Sequence, residues 1–349
     1  MTRAVARGVV LTSAALGVAW WARAPRATPP PYLVRTRPTR IAHRGASAHA
    51  PENTVAAFEL AGRLGADAVE LDLHLTRDGH AVAHHDATLD RTTDGTGPLA
   101  ARTLADLRRL DAGRWFTEAG GTAAYAGEGL GIPTLDEALD AVDGFCLLEL
   151  KAGGAALADE VARVLRARGA GGRVLVASRS DELLTAFRAR APEVPTGLAE
   201  GELRRLWGLS RLRLSRWARL PGVAVQVPEH AGSHHVTDAA FVDGAHALGL
   251  HVHVWPVNEP TAMHRLLDTG VDGIITDAPD VLNDVLRRRG DPRLVAWDAH
   301  LADVARPGPR GGSRSPHGAA PPHDEAAHDG TGRAGAQRAG TQGAGEGAR

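Results

Sequence analysis

The chain has 349 residues, of which 43% are hydrophobic and 23% charged, as expected for a globular protein with a large core. Its 40 basic and 41 acidic residues give a formal net charge of -1, which argues against a nucleic-acid-binding protein with a basic surface. The single cysteine, Cys146, excludes an intramolecular disulfide and a clustered thiolate zinc site. We expect it to be a small buried apolar residue.

The N-terminal part has the pattern of an export signal or a membrane anchor. Residues 1–7 are basic, and residues 8–22 form an apolar stretch without charge. A small-residue cleavage site at 22–24 favours a removable signal peptide, whereas Pro25 directly after it favours retention as an anchor. Either alternative predicts an extracytoplasmic protein, secreted or membrane-anchored. We assign residues 1–37 to this segment and its linker.

The C-terminal part, residues 301–349, is rich in Gly, Pro, Ala and Arg and nearly devoid of large apolar residues. Such a composition cannot bury enough apolar surface to offset the entropy of ordering, so we predict a disordered tail. The folded domain is therefore expected over residues 38–300.

Between these ends, short β-branched runs alternate with helical patterns. Eight strand–helix pairs over about 250 residues predict an α/β fold with a single (β/α)8 TIM barrel. A doubly wound open sheet is the alternative, but no Gly-rich phosphate loop accompanies the strands. The strands are expected at 40–43, 68–75, 145–150, 173–177, 195–199, 222–227, 250–255 and 272–276. The helices are expected at 53–64, 134–142, 155–168, 180–190, 201–218, 237–248, 260–269 and 278–289.

One additional strand follows the second barrel strand. Residues 80–85 come only four residues after strand 68–75, which is too short for a crossover, so the two must pair antiparallel. A two-residue turn at Asp78 and Gly79 would place Asp72 opposite His85. The sequence thus predicts a small insertion after the second strand.

Polar side chains alternate with apolar ones along two strands. Glu70, Asp72 and His74 share one face of strand 68–75, and Glu149 and Lys151 share one face of strand 145–150 and its end. In a barrel these faces point inward, where carboxylates are costly without a cation. Three carboxylates offer hard oxygen ligands, which suit Mg²⁺ or Ca²⁺.

Other strand ends carry further candidates. His43 and Arg44 end the first strand, and Gly45 is expected to make room for a bound group beside them. Trp255 lies on one face with His251 and His253. At the barrel mouth it is expected to form an apolar wall for a small substrate, and the alternative is that it plugs the barrel. Three residues are expected to cap helices: Asn53, Thr134 and Ser180. Asp277, at the end of the last strand, suits the cap of the following helix equally well, and we treat it as structural.

Several stretches together resemble the glycerophosphodiester phosphodiesterase family, and they follow the family's order over nearly all of residues 38–290. They are HRG at 43–45, PENT at 51–54, ELDLHLTRDG at 70–79, HHDATLDRTTDGTG at 84–97, LELK at 148–151, VWPVN at 254–258 and DGIITDAP at 272–279.

This resemblance implies metal-dependent hydrolysis of glycerophosphodiesters to glycerol 3-phosphate and an alcohol. It implies His43 and His85 as the acid/base pair, Arg44 and Lys151 as phosphate-binding residues, and a divalent metal on a carboxylate cluster formed by Glu70, Asp72 and Glu149. It also implies that residues 90–133 form the family's insertion over the barrel mouth. The glycerol hydroxyl next to the phosphate is the first nucleophile expected for the family, although the residues fit direct attack by water equally.

Two alternatives remain at this point. The predicted helix 201–218 mixes Arg with Leu and Trp like an interfacial helix, which would suit lysophospholipase-D-like hydrolysis of acylated diesters at a membrane. An ordinary solvated barrel helix accounts for the same pattern. A non-catalytic, surface-anchored binding barrel is the other alternative, although every charged group that the chemistry requires is present.

Overall fold

The computed structural model describes residues 33, 38–117, 121 and 123–294. Within those residues, no helix is both long and apolar enough to cross a membrane. The apolar stretch at 8–22 and the tail at 301–349 lie outside the described part of the chain, so the predictions made for them stay predictions.

A parallel sheet forms the centre of the fold. Its strands are β1 (Thr39–Ala42), β2 (Ala68–Leu75), β4 (Phe145–Ala152), β5 (Val174–Ala177), β6 (Ala224–Val227), β9 (His251–Val254) and β10 (Gly273–Thr276). They lie in the order β5-β4-β2-β1-β10-β9-β6. Single-residue bridges from Thr196 to Val176 and from Gly197 to Ala224 join the two edges of this sheet. The predicted strand 195–199 is thus reduced to this short connection, and the predicted barrel is confirmed.

Helices surround the barrel close to the predicted positions. Eight of them are α1 (Val55–Arg63), α3 (Leu135–Ala141), α4 (Gly154–Arg168), α5 (Asp181–Arg190), α6 (Glu200–Arg211), α7 (Ala239–His246), α8 (Pro260–Thr269) and α9 (Pro279–Arg288). Thr134 forms a capping box with Glu137, and Ser180 accepts a hydrogen bond from the amide of Leu183, so both predicted caps are confirmed.

The two faces of each strand are buried differently. Val69, Leu71 and Leu73 of β2 pack with Cys146 and Leu148 of β4 in the core between the barrel and its helices. A second set of residues fills the barrel interior, including Ile41, Leu147, Leu175 and Ile275. The alternation predicted from the sequence is confirmed, and it turns Glu70, Asp72, Glu149 and Lys151 away from the helices.

The short strand β3 (Ala81–Ala83) pairs antiparallel with β2, but in a register one residue from the predicted one. Leu73 faces Ala83, and the amide of His84 donates to the carbonyl of Asp72, so Asp72 lies opposite His84 rather than His85. The reason is a three-residue turn, which ends on Gly79 at φ +84°.

Three other local predictions are wrong. The cap of α1 is Thr54, because Asn53 adopts φ +55° and directs its side chain to Asp72. The residue that precedes α9 is Ala278, so Asp277 does not cap it. The predicted helix 201–218 ends at Arg211, after which Arg213 adopts φ +55° and a short 3-10 turn covers residues 215–217.

The insertion has a small apolar core of its own. It contains the short helix α2 (Leu104–Leu107), and its core packs against the outer side of β3 through Val82. The buried members of this core are Val82, Leu89, Leu99, Leu107, Ala112 and Ile132. On the opposite side of the barrel, β7 (His230–Ala231) and β8 (His234–His235) form a two-residue hairpin.

Candidate active site

The predicted site residues meet at the carboxyl ends of the parallel strands, where barrel enzymes build their active sites. A cavity of about 730 Å³ opens there. Its charged part is lined by His43, Arg44, Glu70, His85, Glu149 and Lys151, and Trp255 also contributes to its wall.

Three carboxylates form the candidate metal site. Glu70, Asp72 and Glu149 each place an oxygen within 4.8 Å of the other two. The amide of Arg44 donates to Glu70 Oε2 at 2.8 Å, and Asn53 Nδ2 donates to Asp72 Oδ2 at 2.8 Å. Neighbouring residues therefore fix two of the three carboxylates before any ion binds.

The electrostatics of this cluster fit a divalent cation. Burial, together with the charges of Asp72 and Glu149, raises the pKa of Glu70 well above its usual value. A bound cation would reverse this effect by favouring the ionised form. Hard oxygen donors in this number suit Mg²⁺ or Ca²⁺ and are poor ligands for softer metals.

Lys151 lies between two of these carboxylates. Its Nζ is 2.9 Å from Asp72 Oδ1 and 3.0 Å from Glu149 Oε2. Burial alone would lower the pKa of Lys151, but the two carboxylates outweigh this effect and raise the pKa above its usual value. The ammonium group is therefore charged at neutral pH.

Arg44 is held in an unusual backbone conformation. Its φ of +57° is rare for a residue with a side chain, and such strain concentrates at functional sites. Arg44 Nη1 donates to Glu52 Oε1 at 2.8 Å, while the buried Nε lies 3.4 Å from Asp72 Oδ2 and makes no hydrogen bond. The guanidinium thus lies between the carboxylates of Glu52 and Asp72, and Arg44 forms part of the cavity wall.

Gly45 serves a different purpose from the predicted one. A Cβ at this position would lie 2.6 Å from the Ala57 Cβ and 2.7 Å from its carbonyl carbon, and the φ is +85°. Glycine is therefore required because helix α1 passes close behind the strand end, and not in order to leave space for a ligand.

Each predicted catalytic histidine forms a hydrogen bond with a carboxylate. His43 Nδ1 lies 2.6 Å from Asp277 Oδ1, and His85 Nδ1 lies 2.6 Å from Asp86 Oδ1. Because a carboxylate only accepts, Nδ1 carries the proton and Nε2 is left for chemistry. The carbonyl of His85 also accepts a hydrogen bond from His74 Nε2 at 3.0 Å.

Asp277 is itself fixed by its neighbours. Ser47 donates to its Oδ1 at 2.9 Å, and Asn258 Nδ2 donates to its Oδ2 at 2.6 Å. Burial alone would raise the pKa of Asp277, but the hydrogen bond and charge of His43 lower the pKa to about 2. The Asp277 carboxylate is therefore ionised at neutral pH.

Arg91, from the insertion, joins the two halves of the site. Its guanidinium donates to both oxygens of Glu52 at 2.7 Å and to Asp86 Oδ2 at 2.6 Å. Glu52 in turn holds Arg44, and Asp86 holds His85. We refer to Arg91, Glu52 and Asp86 as the Arg91 bridge.

Sequence reasoning missed the roles of Asp277, Asp86 and the Arg91 bridge. Barrel closure could have indicated the first, because β10 pairs with β1 and Thr276 lies beside Ala42, which brings Asp277 next to His43. Asp86 directly follows His85, which was a signal for the second. His251 and His253 lie deeper in the barrel, both buried.

Two imidazoles, two cations and a carboxylate cluster at one barrel mouth are the groups that hydrolysis of an anionic ester such as a phosphodiester requires. The profile of the glycerophosphoryl diester phosphodiesterase family matches residues 43–281. The chain belongs to this family and is an enzyme.

Relatives of the chain agree with this assignment. A glycerophosphodiester phosphodiesterase of Caldanaerobacter subterraneus subsp. tengcongensis is 35% identical over 257 residues, which cover 72% of this chain and 98% of the relative. A Bacillus subtilis glycerophosphodiester phosphodiesterase is 33% identical over 261 residues, covering 70% and 85%.

Solved structures give the same fold. A phosphodiesterase of Oleispira antarctica in complex with the product sn-glycerol-3-phosphate has a TM-score of 0.60 and 28% identity, covering 73% of this chain and 99% of that one. A glycerophosphoryl diester phosphodiesterase domain from Mycobacterium tuberculosis has a TM-score of 0.62 and 26% identity, covering 72% and 100%.

Proposed function

We propose that this enzyme hydrolyses glycerophosphodiesters to glycerol 3-phosphate and an alcohol, with the aid of a divalent metal. The observation that carries the proposal is the pairing of His43 and His85 with separate carboxylates, each leaving an Nε2 for the same cavity. The glycerol 3-phosphate in the Oleispira antarctica relative supports the choice of product class.

Charge neutralisation is the first requirement, because a phosphodiester anion repels nucleophiles. Arg44 and Lys151, which both line the cavity, would bind the non-bridging oxygens. Glu70, Asp72 and Glu149 would hold Mg²⁺ or Ca²⁺, which when bound supplies Lewis-acid stabilisation of the phosphoryl oxygens.

Proton transfer is the second requirement. One imidazole takes the proton from the attacking hydroxyl, and the other gives a proton to the oxygen of the departing alcohol. Asp277 and Asp86 hold the protonated Nδ1 of each ring, and they stabilise the imidazolium that forms on whichever ring acts as base. Trp255 forms an apolar wall for the organic part of the substrate.

The test is an assay of the purified full-length chain on a panel of glycerophosphodiesters, with chelator and with Mg²⁺ or Ca²⁺ added back. We expect His43→Ala and His85→Ala each to lower kcat by about 10²–10⁴-fold. His49→Ala is the matched control, because His49 lies in the same loop and pairs with Asp280 at 2.8 Å but is exposed. Activity that resists chelation would refute the metal site, and unchanged activity in either histidine variant would refute the mechanism.

We further propose that the enzyme acts outside the cytoplasmic membrane, either secreted or anchored by its N-terminal segment. The proposal is supported by the basic residues 1–7 followed by the apolar stretch 8–22. Cell fractionation and N-terminal sequencing would test it, and recovery of the intact chain in the cytosol would contradict it.

A further inference from the structure

The β7–β8 hairpin carries histidines that the proposed reaction does not use. His230 lies directly opposite His235 in the antiparallel register, and Ala231 lies opposite His234. Because side chains alternate along a strand and opposed residues share a face, His230 and His235 take one face of the hairpin. Ala231 and His234, on the other face, line the cavity at the barrel mouth. The pair of His230 and His235 is therefore on the outer face of the hairpin.

Three ligating groups converge on this outer face. The ring centroids of His230 and His235 are 4.9 Å apart, with an angle of 26° between the ring planes. Glu229, which directly precedes β7, places its Oε1 3.7 Å from His235 Nε2. One ligand atom of each residue lies within 4.8 Å of the other two. We call Glu229, His230 and His235 the hairpin triad.

The spacing of the hairpin triad is close to what a transition metal ion requires. Zinc–ligand distances of about 2.0–2.2 Å place the ligand atoms of a tetrahedral site about 3.4 Å apart. The 3.7 Å between Glu229 Oε1 and His235 Nε2 is near this value and is too long for a hydrogen bond. Both histidines are exposed, so their rings can rotate to close the remaining gap without disturbing the core.

Glu229 is held in position before any ion binds. Its side chain is only 17% exposed, and Arg265 of α8 donates to its Oε1 from Nε at 3.2 Å. The backbone carbonyl of Glu229 accepts a hydrogen bond from the amide of Val236 at 2.9 Å. A carboxylate that an outer partner already orients is a better metal ligand. Arg265 is half exposed, so solvent screens its charge and reduces its repulsion of a bound cation.

We propose that the hairpin triad is a second metal site of this protein, which binds Zn²⁺ through three side chains and leaves a fourth position to water. Two imidazoles and one carboxylate are a ligand set that zinc prefers. The carboxylate cluster of Glu70, Asp72 and Glu149 offers oxygen alone and suits Mg²⁺ or Ca²⁺ instead. The two sites thus select different metals.

Zinc at this place would brace the hairpin. The strands β7 and β8 have only two residues each, and a short hairpin is at best marginally stable by itself. An ion bound to His230 and His235 joins the two strands. Because Ala231 and His234 lie on the other face, the same ion stabilises one wall of the cavity without entering it.

The first test measures the Kd of the full-length protein for Zn²⁺ by competition with a chromogenic zinc indicator, with Mg²⁺ in large excess to occupy the carboxylate cluster. We expect a zinc site that Mg²⁺ does not displace. His230→Ala and His235→Ala should each raise its Kd at least about tenfold, because each removes one ligand. His80→Ala is the matched control, since His80 is an exposed histidine beside the turn of the β2–β3 hairpin, and it should leave the Kd unchanged.

Zinc affinity that is unchanged in His230→Ala and His235→Ala would overturn the proposal, and it would assign the ion to the carboxylate cluster or to the histidines of the segment 301–349. Displacement of all zinc by Mg²⁺ would overturn it too. Thermal melts of the metal-free variants check that the fold is retained.

The second test needs no variant. With Zn²⁺ at ten times its Kd, hydrogen exchange of the backbone amides at 230–236 should slow about tenfold, because opening of the hairpin would then require release of the ion. Mg²⁺ alone should leave this exchange unchanged. Exchange at 230–236 that Zn²⁺ does not slow would contradict the proposal. Neither measurement depends on phosphodiesterase activity, so failure of the proposed function would leave this proposal intact.

Discussion

At the level of single residues, each imidazole at the barrel mouth depends on a carboxylate behind it. Asp277 has little freedom, because Ser47 and Asn258 hold its two oxygens. Its role is to keep the proton on His43 Nδ1 and so to present Nε2 to the substrate. An amide at this position would preserve the shape but lose the charge and allow the other tautomer.

Asp277→Asn should therefore lower kcat by about 10²–10⁴-fold while changing KM little, since the ring stays in place but in the wrong protonation state. Steady-state kinetics on glycerophosphocholine would measure this. Asp280→Asn is the control. Asp280 Oδ1 lies 2.8 Å from His49 Nε2 in a similar but more exposed pair, so this substitution should leave kcat unchanged. Equal effects of the two substitutions would contradict the role of Asp277.

Glu52 should make stability depend on pH. Burial alone would raise the pKa of Glu52, but hydrogen bonds from Arg91 and the charge of Arg44 lower it to about 2 from an ordinary 4.5. Because the pKa of Glu52 is lower in the folded state than in the unfolded state, its ionised carboxylate stabilises the fold fully at pH values above the unfolded-state pKa. This contribution is lost as the pH falls from about 4.5 towards 2. At neutral pH this contribution is at most about 3 kcal/mol.

The measurement is the free energy of unfolding in urea at a series of pH values, for the wild type and Glu52→Gln. We expect the wild type to be more stable at pH 7 and the difference to shrink steadily below pH 4.5. A difference that is independent of pH between 7 and 3 would show that the charge of Glu52 is not what stabilises the fold.

At the level of elements, two close approaches hold the site together. Helix α1 passes so near the end of β1 that only Gly45 fits between them, and the Arg91 bridge ties the insertion to the loop before α1. Both determine where Arg44 and His85 stand relative to the carboxylates.

Gly45→Ala should lower the free energy of unfolding by at least about 3 kcal/mol, because it combines an unfavourable φ with a backbone clash. Gly79→Ala is the matched control: its φ of +84° is nearly the same, but nothing lies within 4 Å of its Cβ position, so about 1–2 kcal/mol is expected. Urea unfolding of both variants measures the difference. Equal losses would mean that the approach of α1 carries no cost.

Arg91→Gln should lower kcat/KM about tenfold by releasing Glu52 and Asp86, with Arg91→Lys recovering part of the loss. The two contributions separate in kinetics: loosening Arg44 raises KM, whereas loosening His85 lowers kcat. Arg163→Gln is the control, since Arg163 is exposed, lies away from the cavity and pairs with Glu160 on its own helix. An unchanged kcat and KM for Arg91→Gln would exclude the bridge from function.

At the level of the whole molecule, metal binding should add to stability, because the carboxylate cluster joins β2 and β4 and exists only in the folded chain. A ligand at 100 times its Kd adds about 2.7 kcal/mol, which corresponds to a rise in Tm of about 5–10 °C for a domain of this size.

Thermal melts with and without the metal would measure this shift. Glu70→Gln should abolish it without lowering the Tm of the metal-free protein, because the substitution removes a buried charge that its neighbours disfavour. Glu59→Gln, on the exposed side of α1, should keep the full shift. A shift that survives in Glu70→Gln would place the metal elsewhere.

Much of this architecture follows from periodicity in the sequence. The alternation of polar and apolar residues along β2 and β4 was sufficient to predict that Glu70, Asp72, Glu149 and Lys151 face the interior of the barrel. The number of strand–helix pairs was sufficient to predict the barrel itself. Backbone detail was not predictable in the same way. The turn at Gly79 is one residue longer than the favoured hairpin, and Asn53 adopts a positive φ that depends on its contact with Asp72.

Residues that act through a partner distant in the sequence were equally hidden. Asp277 reaches His43 across 234 positions, a contact that exists only once the last strand closes on the first. Arg91 and Glu52 look like ordinary surface charges until the insertion folds against the loop before α1. Local patterns predict which face a residue takes, but not which side chain from another strand it meets.

The Arg91 bridge also bears on how such enzymes are recombined. The insertion supplies a cation that two carboxylates of the barrel require, so the insertion is not an interchangeable cover. A chimaera that received a foreign insertion without an arginine at the equivalent place would leave Glu52 and Asp86 facing each other's charge. Exchange of this segment between enzymes is therefore constrained by one guanidinium group. A segment that is exchanged in order to change the substrate range should keep an arginine at the position of Arg91.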